Sequence, residues 1–317
     1  MNSSKTFALH GIVPPLITPL LDHATLDHDG VDRLVEHLIA GGVHGLFVLG
    51  TTGEGPSLSP AVQRQMITRT VQQAARRVPV IVAVTHSSLS EAISLAEFAA
   101  DNGAQAVVSS TPYYFDISQS ELQNYITQLA NSISLPLVLY NIPQRTRVKF
   151  EISTLSRLLE IENIIGMKDS SGDLEYLDQL LRISGNKDGF SILVGQEPIL
   201  RIAYEMGAHG AVCGSANVFP AVFVKMYEAF RNGDEHRLEQ FVAAGEEIFE
   251  LFYGSYRYSV DGIAPLKYVL ARQGICSETV VPPLNSFTTS QSQVFSEKYH
   301  SFGARERQFA SMANGNY

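Results

Sequence analysis

The chain contains 317 residues, of which 45% are hydrophobic and 17% are charged, and its formal net charge is −9. The hydrophobic fraction supports a sizeable core and excludes a disordered chain. The acidic balance, without any run of Lys or Arg, argues against a nucleic-acid-binding protein. Two cysteines, Cys213 and Cys276, cannot form a disulfide framework or a cysteine-rich zinc site. Without a secretory signal pattern or an apolar run of about 18 residues, we expect a cytoplasmic protein with no membrane partner.

A low content of charged residues also bears on assembly. The charged fraction lies below the ~25% typical of globular proteins, which favours burial of part of the surface in an oligomer. The length fits either two ordinary domains or one large barrel with an accessory segment.

Eight short apolar runs rich in Val, Ile or Leu recur along the chain. None alternates cleanly between apolar and polar residues, as expected for parallel strands buried on both faces. The runs span 11–20, 45–50, 79–85, 106–111, 135–140, 164–168, 190–195 and 210–214. Amphipathic segments of helical length follow them at 27–40, 59–75, 88–102, 118–132, 151–161, 173–184, 198–206 and 219–232.

This alternation predicts an α/β protein that folds as a (β/α)8 TIM barrel with a C-terminal helical region. An open doubly wound sheet is the main alternative, but no GxGxxG loop follows the first strand. Beyond the eighth unit, helices are predicted at 234–253 and 262–272, and the polar residues from about 285 onward are predicted to form a loose tail. We therefore divide the chain into a catalytic barrel at 1–232 and a helical region with a polar tail at 233–317.

The carboxyl ends of the strands are where a TIM barrel places its active site. Lys168 ends the apolar run 164–167, where burial disfavours the charged form of an amine. A neutral amine attacks a carbonyl carbon and forms a Schiff base. The alternative interpretation is a lysine that reaches solvent or pairs with Asp169, and position alone does not decide between the two.

Other strand ends carry hydroxyl groups and one arginine. Tyr140 could relay a proton if the Thr51 hydroxyl orients it, although ordinary aromatic packing is equally compatible with the position. Thr51 and Thr52 offer hydroxyls and N–H groups to a small carboxylate, or form a simple turn that Glu54 braces. Arg145 could bind a carboxylate with two hydrogen bonds, or remain solvated. The nine histidines show no metal-ligand spacing, so no metal site is predicted.

Four strings at these strand ends are specific in combination: Gly50–Glu54 (GTTGE), Thr111–Tyr114 (TPYY), Tyr140–Pro143 (YNIP) and Gly166–Asp169 (GMKD). Over residues 8–275 the chain resembles the dihydrodipicolinate synthase/N-acetylneuraminate lyase family of class I pyruvate-dependent aldolases. The resemblance implies a TIM barrel with C-terminal helices and a homotetramer built as a dimer of dimers. It implies no metal and no organic cofactor.

The resemblance also implies roles for individual residues. Lys168 matches the lysine that forms a Schiff base with pyruvate or another keto acid, and Tyr140 matches the tyrosine that relays protons. Thr51 matches the relay hydroxyl, and Thr51 with Thr52 matches the pair that binds the keto-acid carboxylate. Tyr114 matches a relay tyrosine that reaches into the neighbouring subunit.

The second substrate stays open between two close alternatives. Arg145 matches the arginine with which the synthases bind the carboxylate of an aldehyde such as aspartate semialdehyde. The synthase pattern continues Arg-Thr-Gly, whereas this chain has Arg147 in place of the glycine. The strings at 53–59 and 112–115 look more like those of 2-keto-3-deoxy-sugar-acid aldolases.

A dedicated N-acetylneuraminate lyase is less well matched. Those enzymes typically carry an Asp-Glu pair after the seventh strand for the sugar hydroxyls, and here only Glu197 is present. Gly195, Glu197 and, after the eighth strand, Ser215 complete the predicted substrate-binding residues. Two rivals of other kinds are a catalytically silent homologue that binds a keto acid and a barrel enzyme that uses a metal. Retention of Lys168 and Tyr140 argues against the silent homologue.

Overall fold

The computed structural model describes residues 8–185, 187–254 and 262–313. Its strands are β1 (Gly11–Ile12), β2 (Leu46–Val48), β3 (Val80–Ala83), β4 (Ala106–Ser110), β5 (Leu137–Asn141), β6 (Ile164–Asp169), β7 (Ser191–Val194) and β8 (Gly210–Ala211). Its α-helices are α1 (His28–Ala40), α2 (Pro60–Ala74), α3 (Leu89–Asp101), α4 (Gln119–Ser132), α5 (Pro143–Thr146), α6 (Ile152–Leu158), α7 (Leu174–Ser184), α8 (Leu200–Met206), α9 (Pro220–Asn232), α10 (Glu235–Phe249), α11 (Ile263–Arg272) and α12 (Thr289–Ala313).

The eight strands form one parallel sheet that closes on itself. Their order is β1-β8-β7-β6-β5-β4-β3-β2, and the two ends of this order meet at a parallel bridge between Pro15 and Phe47. There the N–H of Leu16 donates to the carbonyl of Phe47 at 2.8 Å, and the N–H of Phe47 donates to the carbonyl of Pro14 at 3.0 Å. The closed parallel sheet with helices between its strands confirms the predicted TIM barrel.

Two hydrophobic cores lie on either side of the sheet. The smaller core fills the inside of the barrel and consists of Leu9, Val13, Phe47, Ile81, Ala106, Val108, Val138, Tyr140, Ile165, Leu193 and Val212. The larger core lies between the sheet and the surrounding helices. Because both faces of each strand are buried, the strands are apolar throughout, as the sequence indicates.

The first strand is much shorter than predicted. The apolar run at 11–20 predicts one long strand, but β1 covers only two residues and continues as the single bridge at Pro15. Proline has no N–H to donate to a sheet, and the run contains Pro14, Pro15 and Pro19. The segment therefore runs along the barrel wall without regular pairing.

The C-terminal tail differs most from expectation. Instead of a loose polar segment, residues 289–313 form α12, on which Phe295 and Phe309 are buried. The ring of Phe295 packs edge-on against Tyr268 at 5.1 Å between centroids. A π-helical turn, Glu250–Gly254, directly follows α10. No helix in the described part of the chain is long and apolar enough to cross a membrane.

Candidate active site

Lys168 and Tyr140 lie side by side at the carboxyl end of the barrel. The two residues are partners in the register of β5 and β6, so both side chains point into the barrel. Lys168 is only 6% exposed, and its Nζ lies 3.9 Å from the centroid of the Tyr140 ring and 5.2 Å from that of Phe47. The amine therefore sits against two aromatic faces at the top of the inner core.

The neighbouring Asp169 has other partners than this amine. Its carboxylate accepts hydrogen bonds from Asn141 Nδ2 and from Ser171 Oγ, each at 2.8 Å. Burial raises the pKa of Asp169, and the same two hydrogen bonds oppose that rise. Among the residues that the structure describes, Lys168 forms no ion pair with Asp169. Because Lys168 is also buried, neither form of the alternative interpretation, a lysine in solvent or a lysine paired with Asp169, fits the structure.

The turn after β2 brings a hydroxyl to Tyr140. The Oγ1 atom of Thr51 lies 3.5 Å from the Tyr140 hydroxyl, at the outer limit of a hydrogen bond. Such bonds are often long in a ligand-free site and tighten around substrate. The same turn is tied to the β1 segment because the Thr18 hydroxyl donates to the carbonyl of Gly53 at 2.6 Å. Thr52, at 9% exposure, completes the turn.

Glu54 braces this turn, as the sequence suggests. Its partners lie in the C-terminal region and could not be predicted from the sequence. It adopts a left-handed conformation with φ of 58°. Its Oε1 pairs with Lys267 Nζ on α11 at 2.5 Å, and both side chains are 0% exposed. Its Oε2 accepts from the N–H of Val281 at 2.6 Å, while Lys267 also donates to the carbonyl of Thr279 at 2.6 Å. Burial lowers the pKa of Lys267, and the charge of Glu54 opposes this.

Gly195 directly follows β7, and its lack of a side chain leaves room for Ser170 and Lys168. A Cβ at this position would lie 2.0 Å from Ser170 Oγ and 3.0 Å from Lys168 Cε. A side chain at residue 195 would therefore force the Ser170 hydroxyl to move and would press against the end of the Lys168 side chain. These short distances explain why residue 195, which is predicted to contact substrate, is a glycine.

The cavity around Lys168 has a volume of about 280 Å³. Its lining includes the predicted residues Thr51, Thr52, Tyr140, Arg145, Lys168, Gly195 and Glu197. It also includes Phe249 and Tyr253, which the sequence analysis missed because aromatic residues on a C-terminal helix are more typical of core packing. The sequence feature that could have identified them is their spacing of four residues at the end of an amphipathic segment, which places both rings on one face of a helix.

Glu197 and Ser215 contact each other. The Glu197 carboxylate accepts from the N–H of Ser215 at 2.8 Å and from its hydroxyl at 2.6 Å. Burial raises the pKa of Glu197, and these hydrogen bonds lower it. Ser215 is fully buried and does not line the cavity. Of this predicted pair, only Glu197 reaches the substrate space.

Arg145 lies where two cavities meet. A second cavity of about 500 Å³ shares Thr51, Tyr140 and Arg145 with the first. Arg147 is exposed, lines neither cavity, and has a φ of 64°. Glycine reaches that conformation without steric cost, which explains why a glycine suits this position. The departure from the synthase pattern therefore leaves the space near Arg145 open.

Tyr114 is not part of the site within one chain. It is 77% exposed on the loop after β4, and its ring packs edge-on against Phe115 at 5.0 Å. Neither cavity is lined by it. Among the described residues, no group of three or more His, Cys, Asp or Glu side chains could hold a metal ion.

A TIM barrel with a buried lysine and tyrosine at adjacent strand ends is the architecture expected of a class I aldolase. Comparison with known proteins assigns the family: the model of the dihydrodipicolinate synthetase family matches residues 8–300. The chain belongs to this family of pyruvate-dependent lyases.

Relatives of known name cover most of the chain. The 4-hydroxy-tetrahydrodipicolinate synthase of Hyphomonas neptunium is 35% identical over 277 residues, which cover 87% of this chain and 92% of the relative. The enzyme of the same name from Methanopyrus kandleri is 34% identical over 281 residues, covering 88% and 91%.

Solved structures agree in fold. The dihydrodipicolinate synthase of Bacteroides thetaiotaomicron has a TM-score of 0.88 and 40% identity, covering 95% of this chain and 100% of that one. A prophage protein of the dihydrodipicolinic acid synthase family from E. coli K12, solved in complex with pyruvate, has a TM-score of 0.87 and 28% identity, covering 93% and 99%.

Proposed function

We propose that this protein is a Schiff-base-forming aldolase of the synthase type, which condenses pyruvate with an aldehyde such as aspartate semialdehyde, or releases pyruvate in the reverse direction. The observation that carries the proposal is the position of Lys168 Nζ, which is buried in the cavity at the carboxyl end of the barrel, 3.9 Å from the centroid of the Tyr140 ring. The names of the relatives and the pyruvate bound to a member of the family support it.

The chemistry follows from an amine and a phenol at one strand edge. The amine nitrogen of Lys168 adds to the carbonyl carbon of pyruvate, and the carbonyl oxygen leaves as water to give an iminium ion. The iminium withdraws electrons from the adjacent methyl group, which loses a proton and becomes an enamine. The enamine carbon then attacks the aldehyde carbon, and Tyr140 gives a proton to the new hydroxyl oxygen. Water finally hydrolyses the iminium and releases Lys168.

The side chains around Lys168 orient the substrates. The hydroxyls and N–H groups of Thr51 and Thr52 bind the keto-acid carboxylate and turn its carbonyl toward the amine. Arg145, at the junction of the two cavities, binds the carboxylate of the aldehyde. Glu197 is already engaged by Ser215, so it offers little to the hydroxyls of a nine-carbon sugar acid. A 2-keto-3-deoxy-sugar-acid aldolase is the competing outcome of an aldehyde screen.

Borohydride trapping tests the proposal directly. Reduction in the presence of pyruvate, followed by intact mass and peptide mapping, is expected to place one pyruvyl adduct on Lys168. Lys168→Ala should give none, while Lys225→Ala, which alters a partly exposed lysine paired with Glu228, should label fully. An adduct on another lysine would contradict the role of Lys168, and no adduct on a folded oligomer would favour the silent homologue. Trapping and turnover should both survive exhaustive chelation, because no metal takes part.

The assembly is part of the same proposal. We infer a homotetramer in which Tyr114 enters the site of a neighbouring subunit, supported by the exposure of Tyr113, Tyr114 and Phe115 on one loop. Mixed oligomers test this: subunits carrying Lys168→Ala and subunits carrying Tyr114→Phe, each impaired alone, should recover activity when combined. Activity in an isolated monomer would refute it.

A further inference from the structure

Two aromatic side chains from the C-terminal helices form one wall of the substrate cavity. The rings of Phe249 and Tyr253, here called the aromatic wall, stack with 5.0 Å between centroids and 27° between planes. Both line the cavity that contains Lys168. A Cβ at Gly214 would lie 2.3 Å from the Tyr253 hydroxyl oxygen. The wall is therefore packed tightly against the end of β8.

The aromatic wall rests on a turn with unusual backbone geometry. Phe249 is the last residue of α10, and Tyr253 lies in the π-helical turn that follows. Such turns are wider than an α-helix and are frequent at functional sites. Lys298, on α12, donates from Nζ to the carbonyls of Glu250 at 2.6 Å and Leu251 at 3.4 Å. A cation is favourable at the carbonyl end of a helix, so Lys298 fixes the turn that carries the wall.

Aromatic packing holds α12 in register with this turn. Phe302 and Phe309 of α12 pack on Phe219, with centroids 5.9 Å and 6.5 Å away. Phe219 also packs on Phe252 of the π-helical turn at 6.1 Å. Because Phe219 stands at the start of α9, shortly after β8, the same cluster joins α12 to the β8 end of the cavity and to the wall.

We propose that α12, acting through Lys298, positions the aromatic wall, and that the wall limits the chain length of the keto acids that reach Lys168. This inference rests on the proposed Schiff-base function. The cavity of about 280 Å³ meets the second cavity at Thr51, Tyr140 and Arg145, whereas Phe249 and Tyr253 line the first cavity and not the second. Loss of one wall would therefore change which molecules fit.

The test compares borohydride trapping of pyruvate with that of 2-keto-3-deoxygluconate, a six-carbon keto acid. Tyr253→Ala removes one ring, and Lys298→Met removes the charged donor but keeps an apolar stem of similar length. In both variants the ratio of six-carbon to pyruvate trapping should rise roughly tenfold, the order expected when a pocket gains room for one or two carbon atoms. In the Lys298→Met variant, whose altered side chain does not line the cavity, pyruvate trapping itself should change less than about twofold, because the three carbons of pyruvate stay near Lys168.

Two controls separate positioning from general loss of structure. Lys298→Arg retains a cationic donor and should restore the wild-type ratio. Arg305→Gln alters another cation of α12, one that pairs with Glu247 at 3.2 Å on the surface, and should leave the ratio unchanged. A ratio that stays constant or falls, or parallel losses with both keto acids, would overturn this inference alone. No pyruvate adduct on the wild-type protein would overturn it together with the proposed function.

Discussion

The buried pair between Glu54 and Lys267 offers the sharpest test of how the C-terminal helices support the site. Both side chains are 0% exposed. Lys267→Met keeps the length of the side chain but leaves the Glu54 carboxylate, among the residues that the structure describes, with only the N–H of Val281 as partner. Breaking a buried ion pair from one side costs about 3–5 kcal/mol of unfolding free energy, because the remaining charge has lost its compensation.

The expected readout is a melting temperature lowered by about 10 °C, since each kcal/mol shifts a protein of this size by roughly 2–4 °C. The double variant with Glu54→Gln should recover most of the loss, because the amide oxygen of Gln still accepts from the N–H of Val281 and no buried charge remains. In the Lys267→Met variant we also expect weaker pyruvate trapping, since Thr51 and Thr52 share the turn that the pair braces.

Thermal unfolding and trapping, measured on the same samples, check both effects. Lys225→Met serves as a surface control, because its partly exposed pair with Glu228 is worth at most about 1 kcal/mol. A Lys267→Met protein that loses less than about 1 kcal/mol would refute the reasoning. So would a double variant as unstable as the sum of the two single ones.

Three further predictions concern single residues of the cavity. Gly195→Ala should weaken pyruvate trapping on Lys168 without unfolding the barrel, whereas Gly185→Ala, where the nearest atom to a new Cβ is 3.5 Å away, should behave as wild type; full trapping by Gly195→Ala would contradict the steric role. Tyr140→Phe should retain trapping but lower turnover about 10²–10⁴-fold, and a wild-type rate would remove this hydroxyl from the mechanism. The pKa of Glu197 is raised above its ordinary 4.5, so its carboxyl favours folding at acidic pH and loses that contribution as the pH rises through the folded-state pKa. The melting temperature of Glu197→Gln relative to wild type should therefore increase as the pH rises from about 4.5 through the folded-state pKa of Glu197. A difference in melting temperature that does not depend on pH would refute the raised pKa.

Most of the barrel could be predicted from the sequence because one physical constraint repeats along it. Strands buried on both faces must be continuously apolar, and each of the eight runs overlaps one strand, although β1 and β8 cover only two residues and β2 only three. The first strand could not be read from hydrophobicity alone, since Pro14 and Pro15 remove donors without making the run less apolar. The C-terminal tail was underestimated because its polar composition hides a stripe of Phe295, Tyr299, Phe302 and Phe309 at helical spacing.

The site was partly predictable for the same reason. Lys168 and Tyr140 end buried strands, so their position along the chain also gives their place in the fold. The aromatic wall and the Lys267 brace depend on how the C-terminal helices dock onto the barrel, and no local pattern encodes that contact. Val281 and Glu54, for example, are 227 residues apart in sequence. Whether Ser215 or Tyr114 contacts substrate stays a prediction.

Residues 275–280 dock onto the segment after β1 and onto α1, and this contact affects the order in which the chain folds during synthesis. Three side chains make hydrogen bonds between these segments: Ser277 with the carbonyl of Leu20, His23 with the carbonyl of Val280, and Arg33 with the carbonyl of Ile275. A nascent chain emerges at roughly 5–20 residues per second and folds from its N terminus. The turn that carries Thr51 is therefore braced only after residues 267–281 have left the ribosome. A product that ends before Lys267 would therefore contain all eight barrel strands but lack the side chain that pairs with Glu54 in the turn that carries Thr51.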